Sequence, residues 1–168
     1  MIEEFNKYVS NYDLNNKDIR LKYNHSFRVM ELSEKYANLL GLYEEDVKLA
    51  KTIGLLHDIG RFEQIKKFDT LSDIGTMDHA DFGAYLLFDE GLITKFTKDT
   101  SVYPIIGECV AGHNKYSLKK LDDEKKKEDM IEQLKHGQES FKEKQHLIEM
   151  LKSNLVYNVI KDMLIRDG

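Results

Sequence analysis

Cysteine is almost absent from this chain of 168 residues. With Cys109 alone, neither an internal disulfide framework nor a closed four-thiolate metal site can form, and a reducing compartment is expected. Proline occurs once, at Pro104, which leaves long stretches free to run as helix. No uninterrupted apolar run approaches the ~18 residues needed to cross a bilayer. The opening, MIEEFNKYVSNY, is acidic where a secretory leader would be basic and then apolar. The chain therefore reads as a cytoplasmic protein with no membrane partner. An excess of positive charge is missing as well. Lys+Arg 25 against Asp+Glu 30 gives −5, which disfavours gripping duplex nucleic acid by its phosphates but leaves room for a small phosphorylated substrate held by local cations. Period-2 alternation and internal repeats are not found. Nor is there a Gly-x-Ser-x-Gly elbow for a serine nucleophile, or a Gly-x-x-x-x-Gly-Lys phosphate loop.

What is present is helical periodicity. Hydrophobic residues make up 41% of the chain, enough to bury one core, and the length suits a single domain over 1–168. Residues 18 to 40 carry Leu21, His25, Val29, Leu32, Tyr36 and Leu39 at the spacing of one helix face, with a stop near Gly41. Asp46 is placed to start a second helix with an inner face of Val47, Ala50, Ile53, Gly54 and His57. Beyond Gly60 the pattern reads as a connection through Phe68, Ser72 and Gly75. A further helix from Asp78 groups His79, Phe82, Gly83, Leu86 and Leu87, and stops at Gly91. Another follows Pro104, with Ile106, Cys109, Val110 and His113 together. The stretch 119–144 is dense in alternating charge and reads as a solvated excursion. A last helix is expected over 146–166. The fold class is all-α, a multi-helix bundle.

The histidines divide. His136 and His146 sit in charge-rich sequence, whereas His25, His57, His79 and His113 each continue the apolar stripe of a different helix. One inward histidine is ordinarily a core residue whose ring nitrogens are satisfied. Four such residues would impose four separate burial problems, each costing a few kcal/mol if unmet. A shared divalent cation satisfies several at once, because neutral imidazole is a good metal donor. Asp58 directly follows His57. Helical neighbours differ by about 100°, so the two side chains can serve one ion only near a helix end, which Gly60 would permit.

The residues around these positions are more specific than the dipeptide. His25 in NHSFRV, the pair His57-Asp58 in GLLHDIGR, His79 in DHADFGA and His113 in AGHNKYS form an ordered series. In this the chain resembles the HD-domain family of metal-dependent phosphohydrolases, and within it the binuclear subgroup. The resemblance implies an all-helical fold. It implies one metal held by His25, His57 and Asp58, and Asp58 bridging to a second held by His79 and His113. The family pattern closes with an aspartate on the final helix, in a run such as Arg-Asp-Ala-Asp-Lys. Here the chain reads LIRDG, so Asp167 is the nearest substitute for that ligand, with Asp162 one turn back.

Histidine and carboxylate donors suit one or two divalent ions without choosing among Mn, Fe, Mg, Co, Ni and Zn. Such ions activate water and offset charge on a phosphoryl group, so hydrolysis of a phosphate ester or anhydride is the expected chemistry, with Asp58 orienting the nucleophilic water or taking its proton. Arg61 and Lys115 are candidates to meet the phosphate. Arg61 could instead pair with Glu63, and Lys115 could simply be solvated. Arg28 neighbours an inward stripe and could pair with Glu31 or Asp58. Asp78 and Asp81 suit the start of a helix better than a metal. Tyr23, Tyr36, Phe62 and Phe82 could stack on the base of a nucleotide substrate, although aromatics at helical spacing ordinarily belong to a core. Two other functions share the same residues. One is a di-iron oxygenase, because relatives such as myo-inositol oxygenase resemble this series. The other is a metal-stabilised module that binds a ligand without turnover.

Overall fold

A computed structural model of the chain describes residues 1–114. Lys115, Asp167, the charged stretch 119–144 and the helix expected over 146–166 lie outside the described residues. Six α-helices run in order: α1 (Ile2–Val9), α2 (Lys17–Leu39), α3 (Glu44–Leu56), α4 (Gly60–Phe68), α5 (His79–Ala84) and α6 (Tyr103–Gly112). Helix α5 runs on through a π-helical turn at Tyr85–Asp89, and short 3₁₀ turns at Leu92–Lys95 and Thr100–Val102 lead into α6. No strand occurs among the described residues, and no helix among them is long and apolar enough to cross a membrane.

Helix α3 is the centre. Every residue from Thr52 to Gly60 is buried, as expected of a helix enclosed on all sides. Helix α2 lies against it closely enough that a Cβ on Gly54 would fall 2.6 Å from Ser33 Oγ and 2.9 Å from the Val29 carbonyl oxygen. That closeness corrects the expected stripe on α2. The buried face is Ile19, His25, Ser26, Val29, Met30, Ser33 and Ala37, while Leu21 is 49% and Leu39 71% exposed and Tyr36 is also exposed. A tight crossing admits serine and alanine, so large apolar side chains do not mark the inner face here.

The ends follow local chemistry. Asn16 caps α2 by accepting from the backbone N–H groups of Asp18 and Ile19. Gly41, at φ +68°, takes the left-handed conformation just past the end of α2. Helix α3 begins at Glu44 rather than Asp46, and Glu44, Glu45 and Asp46 together line its positive end. Pro104 occupies the first turn of α6, and Ile106, Cys109 and Val110 are buried as expected.

Helices α1 and α4 are additional to the helices expected above. The connection expected after Gly60 is in fact α4. Ile59, Phe62 and Ile65 are all buried at the three-residue spacing of one helix face, and Lys66 and Lys67 lie in the last turn, where the macrodipole favours cations. Gly60 does not end a helix; it starts one. Helix α1 packs on α2 and α4 through aromatic rings, Phe5 meeting Tyr23, Phe27 and Phe62 at centroid separations of 6.3, 5.7 and 6.0 Å. Full burial of Phe5 and Phe62 stabilises this corner by roughly 2–3 kcal/mol each. It also removes Phe62 from any role in stacking on a nucleotide base.

The same corner predicts an alkaline response. The Tyr12 hydroxyl donates to Glu63 Oε2 at 2.8 Å, and the Tyr8 hydroxyl lies 3.0 Å from that of Tyr12. Burial pushes the Tyr8 phenol up to about 12. Between the ordinary value of about 10 and that raised value, the unfolded chain has released a proton that the folded chain keeps. Stability therefore falls as pH rises through this window, by up to about 2 kcal/mol. Urea midpoints at pH 9 and pH 11.5 should fall further for the wild type than for Tyr8→Phe.

Candidate metal centre

Five side chains from four helix ends and faces meet at one point. His25 projects from the middle of α2, and His57 caps the C-terminus of α3. Asp58 lies in the turn that follows, tightened by bonds from the Ile59 N–H to the Leu56 carbonyl and from the Arg61 N–H to the Asp58 carbonyl. This helix end lets adjacent residues face the same centre, as the His57-Asp58 pair requires. His79 opens α5 immediately after Asp78, whose carboxylate accepts from the N–H groups of Ala80 and Asp81 and so caps the helix, as expected. His113 follows α6.

Asp58 joins two groups. Its Oδ2 lies 3.5 Å from His25 Nε2 and 3.4 Å from His57 Nε2. Its Oδ1 lies 3.4 Å from His79 Nε2 and 3.2 Å from His113 Nε2. Within the groups, His25 and His57 Nε2 are 3.0 Å apart, and His79 and His113 Nε2 are 2.9 Å apart. Both trios, His25-His57-Asp58 and Asp58-His79-His113, have donor atoms close enough together to hold a metal ion.

The outer nitrogens determine what the inner ones can do. His57 Nδ1 is 2.7 Å from the Gly54 carbonyl oxygen, His113 Nδ1 is 2.7 Å from that of Val110, and His79 Nδ1 is 2.7 Å from Asp73 Oδ2. Carbonyl and carboxylate oxygens only accept, so each of these Nδ1 atoms carries the proton and donates it. In the neutral ring the corresponding Nε2 then presents a bare lone pair. Burial pushes the His57 imidazole below its ordinary value and favours that neutral form. His79 and His113 Nε2 lie 2.9 Å apart; with both rings neutral their two lone pairs converge, an arrangement that a shared cation satisfies. Burial alone would push the Asp58 carboxyl up, but the neighbouring His57, His113 and His79 outweigh it and hold the group well below the usual carboxylate range. A carboxylate whose two oxygens each face a pair of imidazole nitrogens offers the donor set of a divalent cation.

Two residues around the centre were not singled out in the sequence. Lys22 Nζ donates to Asp58 Oδ2 at 2.9 Å. Its signal was the three-residue spacing to His25 on α2, which puts both on one helix face. Asp73 sits in the irregular segment between α4 and α5, where no periodicity marks it, and binds the outer nitrogen of His79.

The expected supporting cations are redistributed. Arg61 does not pair with Glu63, which instead accepts from Tyr12 and lies 3.8 Å from Lys67. Arg61 Nη1 donates to Gln64 Oε1, the Leu71 carbonyl and Asp73 Oδ1 at 2.7, 2.6 and 2.9 Å, and its Nε is 3.9 Å from Asp58 Oδ1. Arg28 is exposed; the cation that α2 places on Asp58 is Lys22. Tyr23 packs between Phe5 and Phe27 and donates its hydroxyl to Asn6, while Phe82 stacks on Tyr85 at 5.8 Å.

Among known proteins, the family model described as HD domain matches residues 23–156. No curated protein and no solved structure matches. The matched segment contains His25, His57, Asp58, His79 and His113, and Asp167 falls beyond it. The all-helical frame, the order of these residues and the match over most of the chain agree, and the chain belongs to the HD-domain family, a superfamily of metal-dependent phosphohydrolases.

Proposed function

We propose that this chain is a divalent-metal-dependent phosphohydrolase acting on a small phosphorylated substrate, a nucleotide being one candidate. The observation that carries this reading is the division of Asp58, one oxygen toward His25 and His57 and the other toward His79 and His113. In the proposal, His25, His57 and Asp58 hold one ion and Asp58, His79 and His113 a second. Asp167 is the proposed further ligand and Lys115 a proposed phosphate-side cation. Divalent ions bound there supply Lewis acidity and offset negative charge on phosphoryl oxygens.

The protein's own part is positional. The Asp58 carboxylate, held in its anionic form, is a weak base, so it orients the attacking water rather than removing its proton. Gly54, Val110 and Asp73 hold three imidazoles in the tautomer that aims Nε2 inward. Arg61 Nη1 serves three acceptors while its buried Nε has no hydrogen-bond partner among the described residues, and we assign Nη1 the task of holding Asp73 against His79.

The test is phosphate release from a panel of nucleotides, sugar phosphates and aryl phosphates with Mn²⁺ present. Turnover that is lost with a chelator and lost in Asp58→Ala supports the reading. Silence across the panel, with metal shown to be bound, overturns it. Oxygen consumption by the iron-loaded protein would put the di-iron oxygenase in its place.

Asp73 carries a separate prediction. Asn in its place keeps the shape but removes the charge that strengthens His79 as a donor. Metal affinity should fall roughly 10–100-fold while the helical content is unchanged, as read by calorimetric titration with Mn²⁺ and by circular dichroism.

A further inference from the structure

Lys22 stands out among the groups that the proposed chemistry leaves without a task. Lys22 and Arg61 are the cations placed within 4 Å of Asp58 among the described residues. Arg61 Nη1 already serves Gln64, Leu71 and Asp73. Lys22 Nζ meets Asp58 Oδ2 at 2.9 Å. Its side chain is 17% exposed against 4% for Asp58, so Lys22 is the more solvent-exposed member of the pair.

Charge decides what this ammonium does when the centre is loaded. Asp58 Oδ2 is also the oxygen nearest His25 and His57 Nε2, so a dication held by that trio and the Lys22 ammonium compete for one carboxylate oxygen. Two cations so close repel unless an anion joins them. A lysine ammonium has three donors on a flexible four-carbon stem and can turn to such an anion without moving its helix. A terminal phosphoryl group, with several charged oxygens, can touch ion and ammonium together.

We propose that Lys22 is the residue that contacts the phosphoryl group of the substrate from the α2 side. This rests on the phosphohydrolase reading and adds a binding residue to it. Removing Lys22 then weakens phosphate binding while metal binding holds or tightens, because a competing cation has gone. A lysine that merely neutralised Asp58 in the fold would not give that combination.

The experiment is calorimetric titration of the Mn²⁺-loaded full chain with inorganic phosphate, alongside Mn²⁺ titration of the metal-free chain. It compares wild type, Lys22→Met, Lys22→Gln and Lys22→Arg. The expected result is a phosphate Kd raised about tenfold or more in the Met and Gln variants, the loss of one charge-assisted contact, largely restored in Lys22→Arg, with Mn²⁺ affinity equal to or above wild type. Two neutral variants guard against one that folds poorly. An unchanged phosphate Kd in both overturns the assignment. Mn²⁺ affinity falling in step with phosphate affinity also overturns it, and makes Lys22 a structural counter-ion. If wild type turns over esters but the Lys22 variants bind phosphate normally, Lys22 alone is wrongly placed. If loaded wild type binds no phosphate and cleaves no ester, the phosphohydrolase reading falls and takes the assignment with it.

Discussion

Replacing Asp58 with alanine should lower phosphate release by about 10³-fold or more, because the ions that it holds are worth several kcal/mol in the transition state and each 1.4 kcal/mol is a factor of ten. No other carboxylate joins the two histidine pairs among the described residues: the Oδ1 and Oδ2 contacts of 3.2–3.5 Å are all made by Asp58. The same change leaves Lys22 without the oxygen it meets at 2.9 Å. The metal-free variant should therefore also be less stable, since breaking a buried ion pair on one side costs about 3–5 kcal/mol where burial is complete and less at a partly exposed lysine. Asp58→Asn separates the effects. It preserves volume and a single acceptor oxygen, so its helical content should match wild type while Mn²⁺ binding and turnover are lost.

Gly60→Ala should be the most damaging small substitution in the centre's frame. A Cβ there would overlap the carbonyl oxygen of His79 and lie 2.8 Å from the Gly83 amide nitrogen. Both are backbone atoms of α5, which cannot swing aside as a side chain would. Overpacking of this kind costs typically 1–3 kcal/mol and occasionally more. At about 2–4 °C per kcal/mol for a chain of this size, Tm should drop by roughly 6–12 °C at the upper end. Relief requires α5 to move away from α4, and His79 would move with it. Mn²⁺ binding by the Asp58-His79-His113 group should therefore weaken more than binding by His25-His57-Asp58. Gly41→Ala is the comparison. Gly41 has φ +68° but an added Cβ would meet nothing within 4 Å, so the change should cost about 1–2 kcal/mol in backbone strain and leave metal binding alone.

His57, His79 and His113 were legible because each continues a stripe whose apolar members are mostly buried, whereas His25 shares its buried face with Val29 but not with Leu21, Tyr36 or Leu39. Asp58 was legible through its neighbour His57 and the helix end that their shared centre requires. Lys22 was obscured because lysine on a helix is ordinarily a solvated charge, and its spacing from His25 acquires meaning only once His25 is known to face Asp58. Asp73 could not be found by period at all, since the segment between α4 and α5 is irregular. The stripe on α2 was misjudged in rotation, because at a close crossing Ser26, Ser33 and Ala37 go inward and Leu21 and Leu39 outward. Helix α4 was hidden by the glycine at its start. Gly60 suggests a break in the sequence, whereas in the structure the absence of its side chain permits the contact between α4 and α5.

The most direct measurement of the shared centre is a crystal structure of the Mn²⁺-loaded chain with diffraction recorded across the manganese absorption edge. Two anomalous peaks are expected to flank Asp58, one bonded to Nε2 of His25 and His57 and the other to Nε2 of His79 and His113, at about 2.0–2.3 Å. Ordered imidazoles in the same places at saturating Mn²⁺, with no anomalous peak between them, would contradict the shared centre.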